Sequence, residues 1–195
     1  MDERLRPVSI ALLIGLITFV FGILWAVVLV TQHERIHGIF VESLESRKVS
    51  SGAGSGSTMA FAREGAEGGG GKMEMEMENP PQEEHENPLI EEAHERLTRG
   101  HIHWMGLGLV TIAVSLLLAF LNSPPGVKTV ASLLTAVGGF FYPLNWIIMG
   151  FRTPSLGSEA AQDSVMFTAG PTIFFVLAGV LITIYCLLRG ISQKR

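Results

Sequence analysis

The chain has 195 residues and a formal net charge of −4, with 48% hydrophobic and 16% charged residues. Its mean hydropathy is positive, a composition that excludes an ordinary soluble domain. We therefore expect an integral membrane protein whose partners are the lipid bilayer and other membrane subunits. We expect no nucleic-acid partner.

Four almost purely apolar stretches predict transmembrane helices. They span residues 8–30, 104–121, 129–151 and 171–188, and none of them contains Asp, Glu, Lys, Arg or His. Each approaches the ~20 residues that a helix needs to cross ~30 Å of hydrocarbon, and backbone polar groups in lipid must be satisfied within the helix. The first stretch is longer than the ~7–15 apolar residues of a signal peptide, so we interpret it as a retained anchor.

Basic residues in short flanking segments predict the orientation, because long loops cross the membrane largely regardless of charge. The side that holds residues 1–7 and 189–195 carries six of them: Arg4, Arg6, Lys128, Arg189, Lys194 and Arg195. The short loop predicted at 152–170 carries only Arg152. We expect both termini in the cytoplasm and the 31–100 loop in the periplasm or outside the cell, in a bacterial inner membrane.

The loop at 31–100 is predicted to have a disordered middle. Residues 50–87 are rich in Gly, Met, Glu and Pro, and the whole loop carries 7 Lys/Arg and 14 Glu, a net charge of 7 − 14 = −7. Such a composition cannot support a packed core. Within it, Met73, Met75 and Met77 alternate with glutamates near His85. A soft Cu(I) site is one interpretation of this run, and a solvated low-complexity tail is the favoured one.

The two ends of the loop, residues 31–49 and 88–103, are predicted to be helical extensions of the first two spans. Apolar and histidine side chains recur there at spacings of three and four, which indicates one helical stripe on each segment. The stripes are His33, Ile36, His37, Phe40 and Leu44, then Ile90, His94, Leu97 and His101. Asn87 is a plausible N-cap with Pro88 behind it. The fold class is therefore all-α: an integral membrane four-helix bundle with an extended outer helical hairpin and a disordered loop.

Five of the six histidines lie in these two extensions, and this clustering predicts a metal or haem site. His33 and His37, at i and i+4, supply two ligands from one helix, and at 1.5 Å per residue His101 is expected at the height of His33. His103 replaces His101 if the helix rotates, and His94, expected higher up, is a further metal ligand. Histidine suits Zn, Cu or Fe. A b-type haem held by one histidine from each helix is the other geometry, with His33, His37, His101 and His103 as its candidate ligands.

A peptidase is a minor alternative. Residues 33–37 read H-E-x-x-H, a motif in which both histidines bind zinc and the glutamate, here Glu34, activates water. The extended form of the motif fails because Phe40 stands where glycine is required. We predict no other catalytic residue, and we do not expect the chain to be an enzyme on its own.

The third apolar stretch contains two features that shape a helix. Gly138 and Gly139 permit close packing against a neighbouring helix. Pro143 is expected to kink the helix, with Tyr142 or Asn145 satisfying the freed carbonyl. Gly100, at the base of the second extension, is a second expected bend.

The segment from His101 to Gly108 reads H-x-H-x-x-x-x-G at the start of a predicted transmembrane helix. It resembles segments in membrane proteins related to haem–copper oxidase catalytic subunits and their small haem- or copper-binding relatives. The resemblance implies His101 or His103 as a haem or copper ligand near the outer face. Oxygen reduction by this chain alone is not expected, because its spans contain no histidine.

The leading functional hypothesis is a small polytopic membrane subunit that binds a metal ion or b-type haem through outer-face histidines, for electron transfer or metal handling. The alternative is a structural or assembly protein without a cofactor, acting through its helix faces. Spans without ionisable residues argue against a pump or an ion-coupled carrier, which place such groups near the membrane midplane.

Overall fold

The computed structural model describes residues 3–52 and 87–192, and this part of the chain is all-α. A short 3-10 turn at Arg6–Val8 precedes α1 (Ser9–Thr31), and four more helices follow: α2 (His33–Gly52), α3 (Pro88–Phe120), α4 (Pro125–Leu156) and α5 (Ser158–Ser192). Helices α1, α3, α4 and α5 are long and apolar enough to cross a membrane. The predicted all-α membrane fold is confirmed. The predicted disordered loop, with its Met–Glu run and His85, lies almost wholly outside the described residues.

The four long helices form an open bundle with α3 and α4 at its centre. Helix α3 packs between α1 and α4, and α4 packs in turn against α5, whereas α1 and α5 do not touch within the described ranges. The central helix is the more deeply buried: half of the 18 most apolar consecutive residues of α4 are buried, against 17% for α1 and 22% for α5. Helices α1 and α5 therefore present broad apolar faces that suit contact with lipid.

The start of α1 and the end of α5 lie at the same end of the bundle. The Thr129 hydroxyl donates to the Pro7 carbonyl at 2.9 Å. Ile182 of α5 packs nearby, against a buried apolar cluster that includes Val8 and Leu118. The Lys128 ammonium donates to the Ala119 carbonyl at 3.2 Å, which places a positive charge at the negative end of the α3 dipole. We call this the termini end, and we call the opposite end, which carries α2, the hairpin end.

The predicted helical hairpin is present at the hairpin end. Ile36, Phe40 and Leu44 of α2 pack with Ile90 and Leu97 of α3 in one buried cluster. The apolar residues of the two predicted stripes therefore form the core that joins the two extensions.

The start of α3 is capped as predicted. The Leu89 amide donates to the Asn87 side chain at 3.1 Å, and Pro88 is the first helical residue. Helix α3 runs through Gly100 without interruption, and the bend expected there stays a prediction. A Cβ there would lie 2.8 Å from Ile147 Cγ1. The glycine therefore allows α3 to approach α4.

The segment 152–170, predicted as a loop, is helical except at Gly157. Helix α4 continues to Leu156 and α5 begins at Ser158, so Gly157 alone connects them. Its φ of +90° lies in a region that glycine enters without steric cost. The polar residues that indicated a loop lie on helices that continue past their apolar stretches.

Side-chain donors surround Pro143, as expected for a proline inside a helix. The Asn145 amide donates to the carbonyls of Phe141 and Tyr142 at 3.3 and 3.2 Å. The Trp104 indole N–H, from α3, donates to the Phe140 carbonyl at 3.0 Å. Pro143 frees the carbonyl of Gly139, four residues before it, whereas these bonds go to the next three carbonyls. The expected role of Asn145 therefore stays a prediction.

Candidate functional site

Three histidine rings from α2 and α3 gather at the hairpin end. We call His33, His37 and His94 the histidine cluster. Their ring centroids are separated by 4.9 Å for His33–His94, 5.8 Å for His37–His94 and 6.5 Å for His33–His37. His33 is exposed, whereas His37 and His94 are half-buried.

The break between α1 and α2 sets the position of the first two histidines. Gln32 leaves helical geometry at φ −112° and ψ 18°, and its carbonyl accepts the Ile36 amide at 2.9 Å, so that α2 restarts directly. His33 is the first residue of α2, and His37 follows one turn later on the same side of the helix.

The third histidine is held by the hydrophobic core of the hairpin. Phe40 is fully buried, and its ring meets His94 edge-on at 5.0 Å between centroids. Ala93 and Leu97, on either side of His94 in the sequence, are also buried. This packing fixes the α3 backbone beside α2, so His94 faces the two histidines of α2.

The spacing of the three rings can be compared with a metal site. A metal ion bound at ~2.0–2.1 Å from a ring nitrogen lies about 3 Å from the ring centre, so tetrahedral imidazole ligands have centres about 5 Å apart. The His33–His94 separation of 4.9 Å matches this value, whereas the other two separations, 5.8 and 6.5 Å, exceed it. Within residues 3–52 and 87–192, no group of three or more His, Cys, Asp or Glu is already arranged to hold a metal ion. The backbone therefore brings the rings near one another, and coordination requires them to turn about their side-chain torsions.

The sequence predicts His101 at the height of His33, and this prediction is wrong. Its Nδ1 is 2.8 Å from the carbonyl oxygen of Gly22, which is eleven residues before His33, or about 16 Å along a helix. The reason is the register of α1 against α3. A Cβ at Gly22 would lie 2.7 Å from Met105 Cγ, so these positions are in close contact. His33 lies eleven residues after Gly22, and His94 lies eleven residues before Met105; the same register therefore pairs the two histidines.

His103 faces a third direction, toward α4. Its ring stacks on Trp146 with centroids 5.5 Å apart and planes 19° apart, and it lies 5.4 Å from the Tyr142 ring. Its Nδ1 is 2.7 Å from the Arg99 carbonyl of its own helix. The structure thus brings together three of the five candidate ligands and places His101 and His103 elsewhere.

A buried arginine is the principal feature that the sequence did not reveal. Arg96 is 6% exposed and donates to Thr153 Oγ1 at 2.7 Å, to Ser158 Oγ at 2.8 Å and to Glu92 Oε1 at 2.6 Å. The Ser158 hydroxyl donates to the same Glu92 oxygen at 2.7 Å. This network joins α3 to the connection between α4 and α5. Glu92 and Arg96 are at i and i+4, but so are the exposed Glu95 and Arg99, and spacing alone does not distinguish a buried pair from an exposed one.

A cavity of about 450 Å³ lies beside this network, between α3, α4 and α5. Charged residues of α3 form one wall, and α4 and α5 supply aromatic, amide and apolar side chains. The charged residues are Glu92, Glu95, Arg96 and Arg99, and the opposite wall includes Tyr142, Asn145, Trp146, Met149, Gln162 and Met166. The cavity opens on a different side of α3 from the histidine cluster.

Comparison with known proteins adds no relative: no family model, curated protein or solved structure matches the chain.

Proposed function

We propose that this membrane protein binds a transition-metal ion through His33, His37 and His94. The observation that supports the proposal is the approach of three imidazole rings from two helices to centroid separations of 4.9 to 6.5 Å. Imidazole nitrogen is a ligand suited to Zn, Cu and Fe. Two ligands from one helix and one from its neighbour would also lock the hairpin, because the ion would bridge α2 and α3.

The position of the cluster favours metal handling. His33 is exposed, so the ion would have access to water at the hairpin end, and three protein ligands leave one coordination position open. The distribution of basic residues favours cytoplasmic termini and a hairpin on the exported side of a bacterial inner membrane. The protein would then receive or pass on an ion outside the cytoplasm, together with other membrane subunits.

A bound ion is supported better than a b-type haem. His101 and His103, which carry the resemblance to haem- and copper-binding proteins, face α1 and α4 respectively. Neither ring lies with the cluster. Among the described residues, therefore, no second histidine lies opposite His101 or His103 to serve as the other axial ligand of a haem.

Metal content in two matched variants tests the proposal. We expect the purified protein to carry about one metal ion per chain, and His94→Gln to lose at least about ten-fold in metal affinity, as expected when a ligand is lost. His101→Gln, a histidine of the same helix outside the cluster, is the control and should retain the ion. Elemental analysis gives the stoichiometry, and an optical spectrum tests for haem.

Retention of the full metal content in His94→Gln, or equal loss in both variants, would contradict the proposal. A Soret band that disappears in His101→Gln or His103→Gln would replace it with the haem interpretation. His85→Gln is measured in parallel, because His85 lies outside the described residues. If the purified wild-type protein contains no metal, the structural or assembly role becomes the favoured function.

One observation favours peptidase activity as a second candidate. The H-E-x-x-H motif needs a third zinc ligand, and His94 stands beside His33 where it could supply one. Glu34 and His33 line the same cavity of about 400 Å³ at the junction of α1 and α2. His37 and His94 do not line this cavity, so this candidate requires Glu34 to turn toward a water on a metal held by the histidine cluster.

For this candidate, Glu34→Gln is expected to abolish cleavage of an unstructured protein substrate while metal content is unchanged. Glu45→Gln, which changes an exposed glutamate of the same helix, is the control. Equal cleavage by Glu34→Gln and wild type, or no cleavage by metal-loaded wild type, rules out the peptidase.

A further inference from the structure

We propose that the cavity between α3, α4 and α5 binds the headgroup of a zwitterionic phospholipid. This headgroup cavity has a volume of about 450 Å³. It is separate from the histidine cluster, so the inference does not depend on metal binding.

The headgroup cavity spans the transition from polar to apolar chain. On α3 its lining ends at Arg99, five residues before the apolar stretch begins at Trp104. On α5 its lining runs from Ser158 to Gly170, directly before the apolar stretch at 171–188. One part of the cavity is thus charged, and the other lies at the apolar surface. A membrane-bound amphiphile has the same two-part character.

Arg99 is placed to bind a phosphate at the mouth of the cavity. Its guanidinium carbon lies 5.4 Å from the centre of the Trp146 ring, an arrangement that holds the group over the aromatic face. Glu95 accepts a hydrogen bond from Nη2, whereas a guanidinium has five N–H donors. Because the side chain is 48% exposed, further donors can form the two-pronged contact that arginine makes with phosphate.

The charges of the cavity favour a zwitterion over an anion or a cation. Two arginines and two glutamates line the same wall, so their formal charges cancel. A purely anionic ligand near Arg99 would meet the Glu95 carboxylate, and a purely cationic ligand near Glu95 would meet the guanidinium. A phosphate joined to an ammonium by a short linker can face both. Phosphatidylethanolamine has this chemistry, and its ammonium retains hydrogens to donate to the carboxylate.

The opposite wall is held together by buried polar contacts, so the cavity is preformed. Asn145 is 6% exposed, and its side-chain oxygen accepts the Thr168 hydroxyl at 2.6 Å. This bond joins α4 to α5 beside the cavity. Met166, which is 60% exposed, extends the wall as an apolar surface suited to an acyl chain.

Native mass spectrometry of the full chain tests the inference. The protein is reconstituted with equal amounts of phosphatidylethanolamine and phosphatidylglycerol and then released into detergent. We expect wild type to retain one phosphatidylethanolamine, several-fold in excess of phosphatidylglycerol. Arg99→Gln should lower this adduct by about ten-fold, the effect of losing one charged hydrogen bond. Arg152→Gln, an exposed arginine of α4 outside the cavity, should leave the adduct unchanged.

A second pair of variants fills the cavity without altering its charges. A Cβ at Gly170 meets nothing within 4 Å, so Gly170→Leu should fold, place its side chain in the cavity and displace the lipid. Gly106→Leu, at an equally open position on α3, should retain it. The inference is overturned if the adduct persists in both Arg99→Gln and Gly170→Leu. It is also overturned if phosphatidylglycerol is retained to the same extent as phosphatidylethanolamine, or if the control variants lose the adduct to the same extent as the test variants.

Discussion

Replacing Arg96 with alanine is expected to lower the free energy of unfolding by up to about 3–5 kcal/mol, the range observed when one partner of a fully buried ion pair is removed. The Glu92 side chain that remains is 33% exposed, which makes this range an upper bound. Arg96 is 6% exposed, and its guanidinium joins Glu92, Thr153 and Ser158. Without it, the Glu92 carboxylate keeps only the Ser158 hydroxyl among these contacts. The measurement is unfolding in mixed micelles with increasing denaturing detergent.

Helix α3 supplies a matched control for this variant. Arg99 forms the same i, i+4 pair with Glu95, but both side chains are about half exposed, so Arg99→Ala should cost less than about 1 kcal/mol. The Glu92→Ala/Arg96→Ala double variant should be more stable than Arg96→Ala, because it removes the uncompensated carboxylate. Equal losses in Arg96→Ala and Arg99→Ala would show that the network does not hold α3 to the α4–α5 connection.

The substitution Gly179→Ala is also expected to lower the free energy of unfolding substantially. A Cβ at this position would overlap Thr135 Oγ1 and lie 2.6 Å from the Ala131 carbonyl oxygen. Backbone atoms cannot move aside as a flexible side chain can, so α4 and α5 must separate. We expect a loss of at least about 1–3 kcal/mol, the usual cost of overpacking, in the same detergent unfolding measurement.

Gly190, on the same helix, isolates the steric part of this effect. A Cβ there meets nothing within 4 Å. Gly190→Ala should be neutral or stabilising by up to about 1 kcal/mol, because alanine has the higher helix propensity. Similar losses in Gly179→Ala and Gly190→Ala would mean that close α4–α5 contact is not what stabilises this half of the bundle.

The elements of the fold could be predicted from the sequence because their signals are local. Apolar stretches without charge identify four helices by composition alone. The spacings of Ile36, Phe40 and Leu44 identify the buried face of α2, and Asn87 with Pro88 marks the start of α3. These features need no knowledge of the partner helix, and each is observed.

The candidate site was harder to predict because it depends on how helices slide past one another. Its residues His33, His37 and His94 were all candidates, but His101 was expected opposite His33. That expectation assumed that both helices leave the membrane at equal distances from their polar residues. The contact of Gly22 with Met105 sets a different register, and glycine carries no hydropathy signal that would reveal it.

The prediction of a loop at 152–170 failed for a related reason. Its polar residues are typical of a loop, but Thr153 and Ser158 bind a buried arginine from α3. Helices α4 and α5 can therefore remain helical around Gly157, since their polar side chains have protein partners. A single sequence does not show which distant charge meets which hydroxyl.

Cobalt titration of the full chain tests the central claim most directly. Co²⁺ bound by three imidazoles in a four-coordinate site gives visible absorption bands that free Co²⁺ lacks. We predict that these bands saturate at one equivalent in wild type and in His101→Gln, and that they are absent or much weaker in His33→Gln, His37→Gln and His94→Gln. Bands of full intensity in His94→Gln, or their absence from wild type, would contradict a metal site at the histidine cluster.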